Sequence, residues 1–160
     1  MYDTYEPFPI TRPRLQRLRV RHLVAWALPL VALPAWGATD LVVKVTGLAT
    51  PLGQVGCSLF AGSAGCPMDN GAARVVWQPA ATAGAEYRFA GVAPGRYAVA
   101  IGHDLNGNQR VDTNFVGMPT EQWGVSNNVR PALRAPRFEE AVFAVPADAG
   151  EVTIEIKGAK

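Results

Sequence analysis

The sequence contains very little histidine and cysteine, and this scarcity excludes several kinds of site. Two histidines and two cysteines occur in 160 residues. His22 lies in the N-terminal segment, so the rest of the chain has the single histidine His103, which cannot build a His-rich zinc site. No CxxC motif and no nucleophile elbow around a serine are present. Zinc enzymes, thiol oxidoreductases and elbow-type serine hydrolases are therefore not indicated.

Strong charge is also lacking outside the N-terminus. The formal net charge is +2, but residues 1–38 hold five arginines and two acids. Removing these from the totals of 15 Lys and Arg and 13 Asp and Glu leaves ten basic against eleven acidic residues. A nearly neutral body without a basic patch argues against nucleic acid as a partner.

The N-terminal segment has the organisation of a secretory signal peptide. Arginines between residues 12 and 21 precede an apolar stretch from Leu23 to Trp36. Two prolines interrupt that stretch, and it is shorter than the roughly 20 residues of a membrane span. Ala35 and Gly37 satisfy the small-x-small rule for cleavage. We expect residues 1–37 to be removed, leaving 38–160 as a single periplasmic or secreted domain with no stable membrane span. An uncleaved N-terminal anchor is the alternative.

Short runs with period-two patterning recur through the rest of the chain. Leu41, Val43 and Val45, for example, alternate with residues that would face the other side of a sheet. Glycine and proline bound most of the runs, which is typical of strands. The runs lie at residues 41–45, 55–59, 74–77, 87–89, 96–101, 141–145 and 152–156. The pattern predicts an all-β fold, a two-sheet antiparallel sandwich of about seven strands, immunoglobulin-like or transthyretin-like.

Helical periodicity is absent over any long stretch. One helical turn is expected around Phe138–Glu140. Residues 103–137 are poor in strand patterns and rich in Asn, Gly and Pro, which predicts a long loop region. Long ordered loops are often functional, so the site is expected there.

Six segments in this chain carry a family resemblance. They are GRYAVA from Gly95, HDLNGN from His103, DTN from Asp112, GMPTE from Gly117, WGVSNN from Trp123 and APRFEEA from Ala135. In this order they resemble the exported bacterial family catalogued as domain of unknown function 2141, over about Asp40 to Lys157. The resemblance implies a secreted or periplasmic β-sandwich and supplies no activity. The segment PGRYAVAI alone also resembles a strand of transthyretin-like and carboxypeptidase-regulatory-like domains.

Cys57 and Cys66 predict a disulfide. Both lie beyond the predicted cleavage site, where an exported chain meets oxidising conditions. The segment between them contains Gly62 and Gly65, so the chain can turn back on itself. Two separate thiols, with Cys57 packed as a small apolar core residue, are the alternative.

An Asp- and Asn-rich segment predicts a calcium loop. Asp104, Asn106, Asn108 and Asp112 place oxygen side chains at alternate positions, and Arg110 offers a backbone carbonyl at the same spacing. Calcium takes about six to eight oxygen ligands. Phe115 stands where a helix–loop–helix calcium loop carries its bidentate acid, so we expect modest affinity. A hydrogen-bonded cluster of Asx turns is the alternative.

A ligand surface is predicted beside this loop from His103, Trp123 and Tyr97. Tryptophan and tyrosine form platforms for sugars or peptides, although core packing is their commoner role. The leading hypothesis is a non-enzymatic binding or accessory module, calcium-stabilised, that meets an envelope protein, a glycan or a peptide. A small periplasmic hydrolase using His103 with a nearby acid is one alternative. A purely structural envelope protein is the other.

Overall fold

The computed structural model describes residues 37–148 and 150–157 of the chain. The predicted signal peptide therefore lies outside the described residues except for Gly37. The described part contains eight strands and one short α-helix. In chain order they are β1 (Thr39–Thr46), β2 (Gln54–Phe60), β3 (Arg74–Pro79), β4 (Ala85–Val92), β5 (Gly95–Asp104), β6 (Trp123–Val125), α1 (Phe138–Ala141), β7 (Phe143–Val145) and β8 (Gly150–Glu155).

The strands form two sheets. The first has the order β4-β1-β8, and the second has the order β3-β2-β5-β6, with β7 also paired to β5. All pairs within the second sheet are antiparallel. This confirms the predicted all-β sandwich, with one difference: β1 runs parallel to β8. The two strands lie at opposite ends of the domain sequence, so no hairpin turn forces them to be antiparallel.

The core lies between the sheets and follows from the period-two alternation. Val55, Cys57 and Leu59 of β2 and Val99 and Ile101 of β5 are buried in one apolar cluster with side chains from the first sheet. The hydroxyl of buried Tyr87 donates to the Val55 carbonyl at 2.9 Å. This bond satisfies the polar tip of the largest fully buried side chain, as burial of a hydroxyl requires.

A smaller cluster covers part of the outer face of the second sheet. Phe60, Ala98 and Ala100 of β2 and β5 contact Val125 of β6, and α1 adds two side chains above them. The predicted helical turn at Phe138–Glu140 is therefore confirmed. Of the helices in the described part of the chain, none has the length and apolar composition that a membrane span needs.

The two cysteines are free thiols, which corrects the predicted disulfide. Cys57 is fully buried in the cluster between the sheets, whereas Cys66 packs against the cluster on the outer face of the second sheet. The sheet itself stands between the two side chains. Burial raises the pKa of the Cys66 thiol to about 11 and also raises that of Cys57.

Candidate functional site

A row of two tryptophans and two glycines crosses the outer face of the second sheet. Trp77 of β3 pairs with Gly56 of β2, and Gly56 pairs with Gly102 of β5. Gly102 in turn pairs with Trp123 of β6. Residues in register on neighbouring strands share a face of the sheet, so the glycines form a floor between two aromatic side chains.

Each glycine lies under a side chain that leaves no room for a larger residue. A Cβ at Gly56 would stand 2.6, 2.7 and 2.8 Å from three ring atoms of Trp77. A Cβ at Gly102 would stand 2.5 Å from a methyl carbon of Val111. All four distances are shorter than van der Waals contact. The glycines therefore let Trp77 and Val111 approach the sheet backbone closely.

The next pair on the same face of β2 and β5 also consists of small residues. Ser58 of β2 pairs with Ala100 of β5. The Ser58 hydroxyl donates to Asn70 Oδ1 at 2.8 Å, and Asn70 Nδ2 donates to the Gln109 carbonyl at 3.1 Å. These bonds connect the floor to one wall and that wall to the loop after β5.

A cavity of about 420 Å³ lies above this floor. Three loop segments supply the walls, namely residues 67–70, 110–119 and 130–136. Met68, Val116 and Leu133 line it and remain 57, 64 and 89% exposed, so the cavity has an apolar mouth. Its volume falls in the range of small-molecule sites, roughly 300–1,000 Å³.

The charge of the cavity is of one sign. Its described lining holds Arg110, Arg130 and Arg134 and includes no aspartate or glutamate. Arg130 lies over the Trp123 ring, 4.5 Å from its centroid, and donates to the carbonyl of Lys157. Burial lowers the pKa of this guanidinium.

The remaining two arginines differ in how they are held. Arg134 makes two bonds to Glu140, at 2.8 and 2.6 Å, and this pairing lowers the pKa of the carboxyl to about 2. No described residue accepts a hydrogen bond from the Arg110 guanidinium. Arg110 is therefore the lining cation with most freedom to meet a ligand.

The predicted calcium loop closes around Asp104, which is fully buried. Its Oδ1 accepts the backbone N–H groups of Asn106, Gly107 and Asn108 at 3.2, 2.8 and 3.2 Å. Its Oδ2 accepts the N–H of Gln109 at 2.7 Å. One carboxylate thus satisfies four consecutive donors and fixes the turn.

The other predicted loop residues gather at Asp112. The side-chain amides of Asn106 and Asn108 donate to its two oxygens at 2.6 and 2.8 Å. The Arg110 N–H donates to Asn108 Oδ1, and no described residue donates a hydrogen bond to the Arg110 carbonyl. The structure therefore brings Asp104, Asn106, Asn108 and Asp112 together, with N–H groups as their partners.

Glu121 holds both ends of the loop. Its two oxygens accept the backbone N–H groups of Leu105 and Asp112, each at 2.8 Å. Within the described residues, no three His, Cys, Asp or Glu side chains form a group that holds a metal. A calcium loop also uses amide and carbonyl oxygens, so calcium binding stays a prediction.

The predicted ligand surface is not one surface. Trp123 lines the cavity, but His103 and Tyr97 point to the opposite side of β5. His103 is 1% exposed, and its Nε2 lies 2.7 Å from the Leu52 carbonyl. The Tyr97 hydroxyl donates to the Ala93 carbonyl. Residues an even number apart share a face of a strand, so Tyr97 and His103 face inward while Gly102 and Asp104 face outward.

The family comparison agrees with the resemblance seen in the sequence. The model of a family described as "Uncharacterized protein conserved in bacteria (DUF2141)" matches residues 43–155, from β1 to the end of β8. No curated protein and no solved structure matches the chain. The immunoglobulin-like or transthyretin-like assignment therefore stays a prediction. The chain belongs to the DUF2141 family of proteins conserved in bacteria.

Proposed function

We propose that this protein is a non-enzymatic binding module that takes a small ligand in the cavity above the glycine floor. The observation that carries the proposal is the cavity of about 420 Å³ on the outer face of the second sheet, which Trp77 and Trp123 line beside Gly56 and Gly102. A concave, largely apolar site with a few polar groups is the usual form of a small-molecule site.

Binding is favoured over catalysis because the described residues do not assemble a catalytic pair at the cavity. The His103 ring lies on the inner face of β5, away from the cavity. The Ser58 hydroxyl is engaged with Asn70, and the described lining has no carboxylate to act as a base. General acid–base or nucleophilic catalysis needs such groups within hydrogen-bond reach of each other and of the substrate.

The Asp104 loop serves, in this proposal, as the support of the cavity wall. Val111 and Met118 line the cavity. Val111 precedes Asp112, whose N–H donates to Glu121, and the Met118 carbonyl accepts the N–H of Asn114. Calcium is proposed as an additional stabiliser of this loop. Asp104, Asn106, Asn108 and Asp112, with the Arg110 carbonyl, would hold it, and its part is to fix the wall rather than to react.

Export is the remaining part of the proposal. It is supported by the Arg-rich start, the apolar stretch and the small residues Ala35 and Gly37. We propose that the domain works in the periplasm or outside the cell, on an envelope component or a molecule present there. The intact mass of the chain recovered from the periplasm or the medium tests the cleavage site.

Titration with the neutral fluorescent dye N-phenyl-1-naphthylamine tests the cavity. Gly102→Val places a side chain where Val111 now lies, and we expect dye affinity to fall at least about tenfold, equivalent to roughly 1.4 kcal/mol. Trp77→Ala removes one wall and should have a similar effect without adding bulk. Gly62→Ala is the matched control, because a Cβ there meets open space. Dye binding that is absent in the wild type, or unchanged in both folded cavity variants, overturns the proposal.

A further inference from the structure

We infer that the ligand of this cavity is a small amphipathic anion, an acyl chain of medium length that carries one acidic group. This inference rests on the proposed binding function and names the chemical class of the ligand. Two observations support it. The walls are mainly apolar, and every charged side chain in the described lining is an arginine.

The apolar part of the ligand follows from the walls. Trp77 and Trp123 flank the floor, and Val111, Val116 and Met118 come from the loop after β5. The floor itself is backbone and small side chains. Such a surface gains free energy by excluding water from apolar atoms, at roughly 25 cal/mol per Å² buried. A hydrocarbon chain suits a cavity lined by two tryptophans and these apolar loop side chains.

The acidic group follows from the balance of charge. Arg134 is already neutralised by Glu140, but the described residues offer the Arg110 guanidinium no hydrogen-bond acceptor. Arginine pairs with carboxylate and phosphate through parallel N–H bonds, and such charge-assisted bonds are stronger than neutral ones. A cationic ligand would be repelled by the Arg110 guanidinium and would find no acid in the described lining.

A neutral sugar fits less well. The polar side chains Ser58 and Asn70 bond to each other, and Asn70 also bonds to the Gln109 carbonyl. A sugar needs several uncommitted donors and acceptors around its hydroxyls, because each buried polar group without a partner is costly. An acyl anion needs only one polar anchor.

Isothermal titration calorimetry with the whole chain tests the inference, with ligands kept below their micelle concentrations. Decanoate and decyl phosphate present the acid as carboxylate or phosphate, while decanol and decyltrimethylammonium replace it by a neutral or a cationic group. We expect one of the two anions to bind at least about tenfold more tightly than decanol. That preference should shrink with added salt, since screening weakens charge interactions.

Arg110→Gln should reduce the preference for the anion to less than about threefold and leave decanol affinity unchanged. Its backbone N–H, which bonds to Asn108, is retained in this variant. Arg88→Gln is the control, because Arg88 pairs with Glu86 on the other sheet. Equal affinity for decanol and both anions, or an unchanged preference in Arg110→Gln, overturns the inference while dye binding keeps the proposed function. Loss of dye binding as well as of all four ligands overturns both.

Discussion

The two faces of the second sheet are built from the same strands, but one face is packed in the core and the other borders the cavity. Toward the first sheet, β2 and β5 present bulky side chains such as Val55, Leu59 and Ile101, which are buried in the core cluster. Toward the outside the same strands present Gly56, Ser58, Ala100 and Gly102. The inner face therefore carries stability, and the outer face leaves room for a ligand. One alternating sequence meets both needs because successive residues of a strand face opposite ways.

The largest expected effect is on the inner face. Leu59→Ala removes a side chain that is 3% exposed within the core cluster. The lost burial and the cavity left behind should lower the free energy of unfolding by about 2–5 kcal/mol. Denaturant unfolding measures this. Affinity for the dye should change by less than about twofold, and a tenfold loss would break the separation of the two faces.

The next effect is on the loop that supports the cavity wall. Asp104→Ala removes the acceptor of four backbone N–H groups. We expect a loss of about 2 kcal/mol in the free energy of unfolding, together with weaker dye binding, because the wall is no longer fixed. Asp40→Ala changes an exposed carboxylate on β1 and serves as control. A stability equal to the wild type would show that the loop does not depend on Asp104.

Calcium should have a smaller effect on the same loop. If the ion binds only the folded loop with modest affinity, millimolar calcium should raise the melting temperature by about 5 °C relative to chelator. Asp112→Ala should lose this response. Glu139→Ala should keep it, since Glu139 pairs with Arg96 instead. Identical melting curves in calcium and in chelator would show that hydrogen bonds alone, without calcium, stabilise the loop.

The smallest expected effect concerns the ion pair between Arg134, in the wall segment 130–136, and Glu140. The bonds from Arg134 hold the Glu140 pKa at about 2, below the ordinary value of 4.5. A lowered carboxyl pKa contributes stability that is present above pH 4.5 and is lost as pH falls through 2. NMR titration of the carboxyl should find the low value, and Arg134→Gln should return it toward 4.5. Because the pair is exposed, the unfolding midpoint at pH 7 should hardly change. A Glu140 that titrates normally in the wild type would refute the pairing.

Most of the fold could be predicted from the sequence because one face of each sheet is buried. Each of the predicted runs overlaps a strand, because burial of one sheet face requires an apolar residue at every second position. β6 was not predicted because Trp123–Val125 is too short to show an alternation of apolar and polar residues. β7 begins at Phe143 rather than Ala141, because Ala141 ends the helix.

The site was predicted only in part because it depends on register between strands. Trp123 was identified, but Trp77 and the two glycines meet it through pairings that no local pattern states. His103 and Asp104 are neighbours in sequence and lie on opposite faces, which the alternation along β5 already indicates. The disulfide was predicted for a similar reason. Cys57 and Cys66 are close in sequence, but the short spacing does not reveal that the second sheet lies between their side chains.

A paired measurement on the two faces tests the central claim most directly. Dye affinity and the free energy of unfolding are determined for wild type, Trp77→Ala and Leu59→Ala. We predict that Trp77→Ala loses at least about tenfold in affinity and that Leu59→Ala loses about 2–5 kcal/mol of stability at unchanged affinity. Affinity that falls only in proportion to stability, in both variants alike, would contradict a binding site on the outer face.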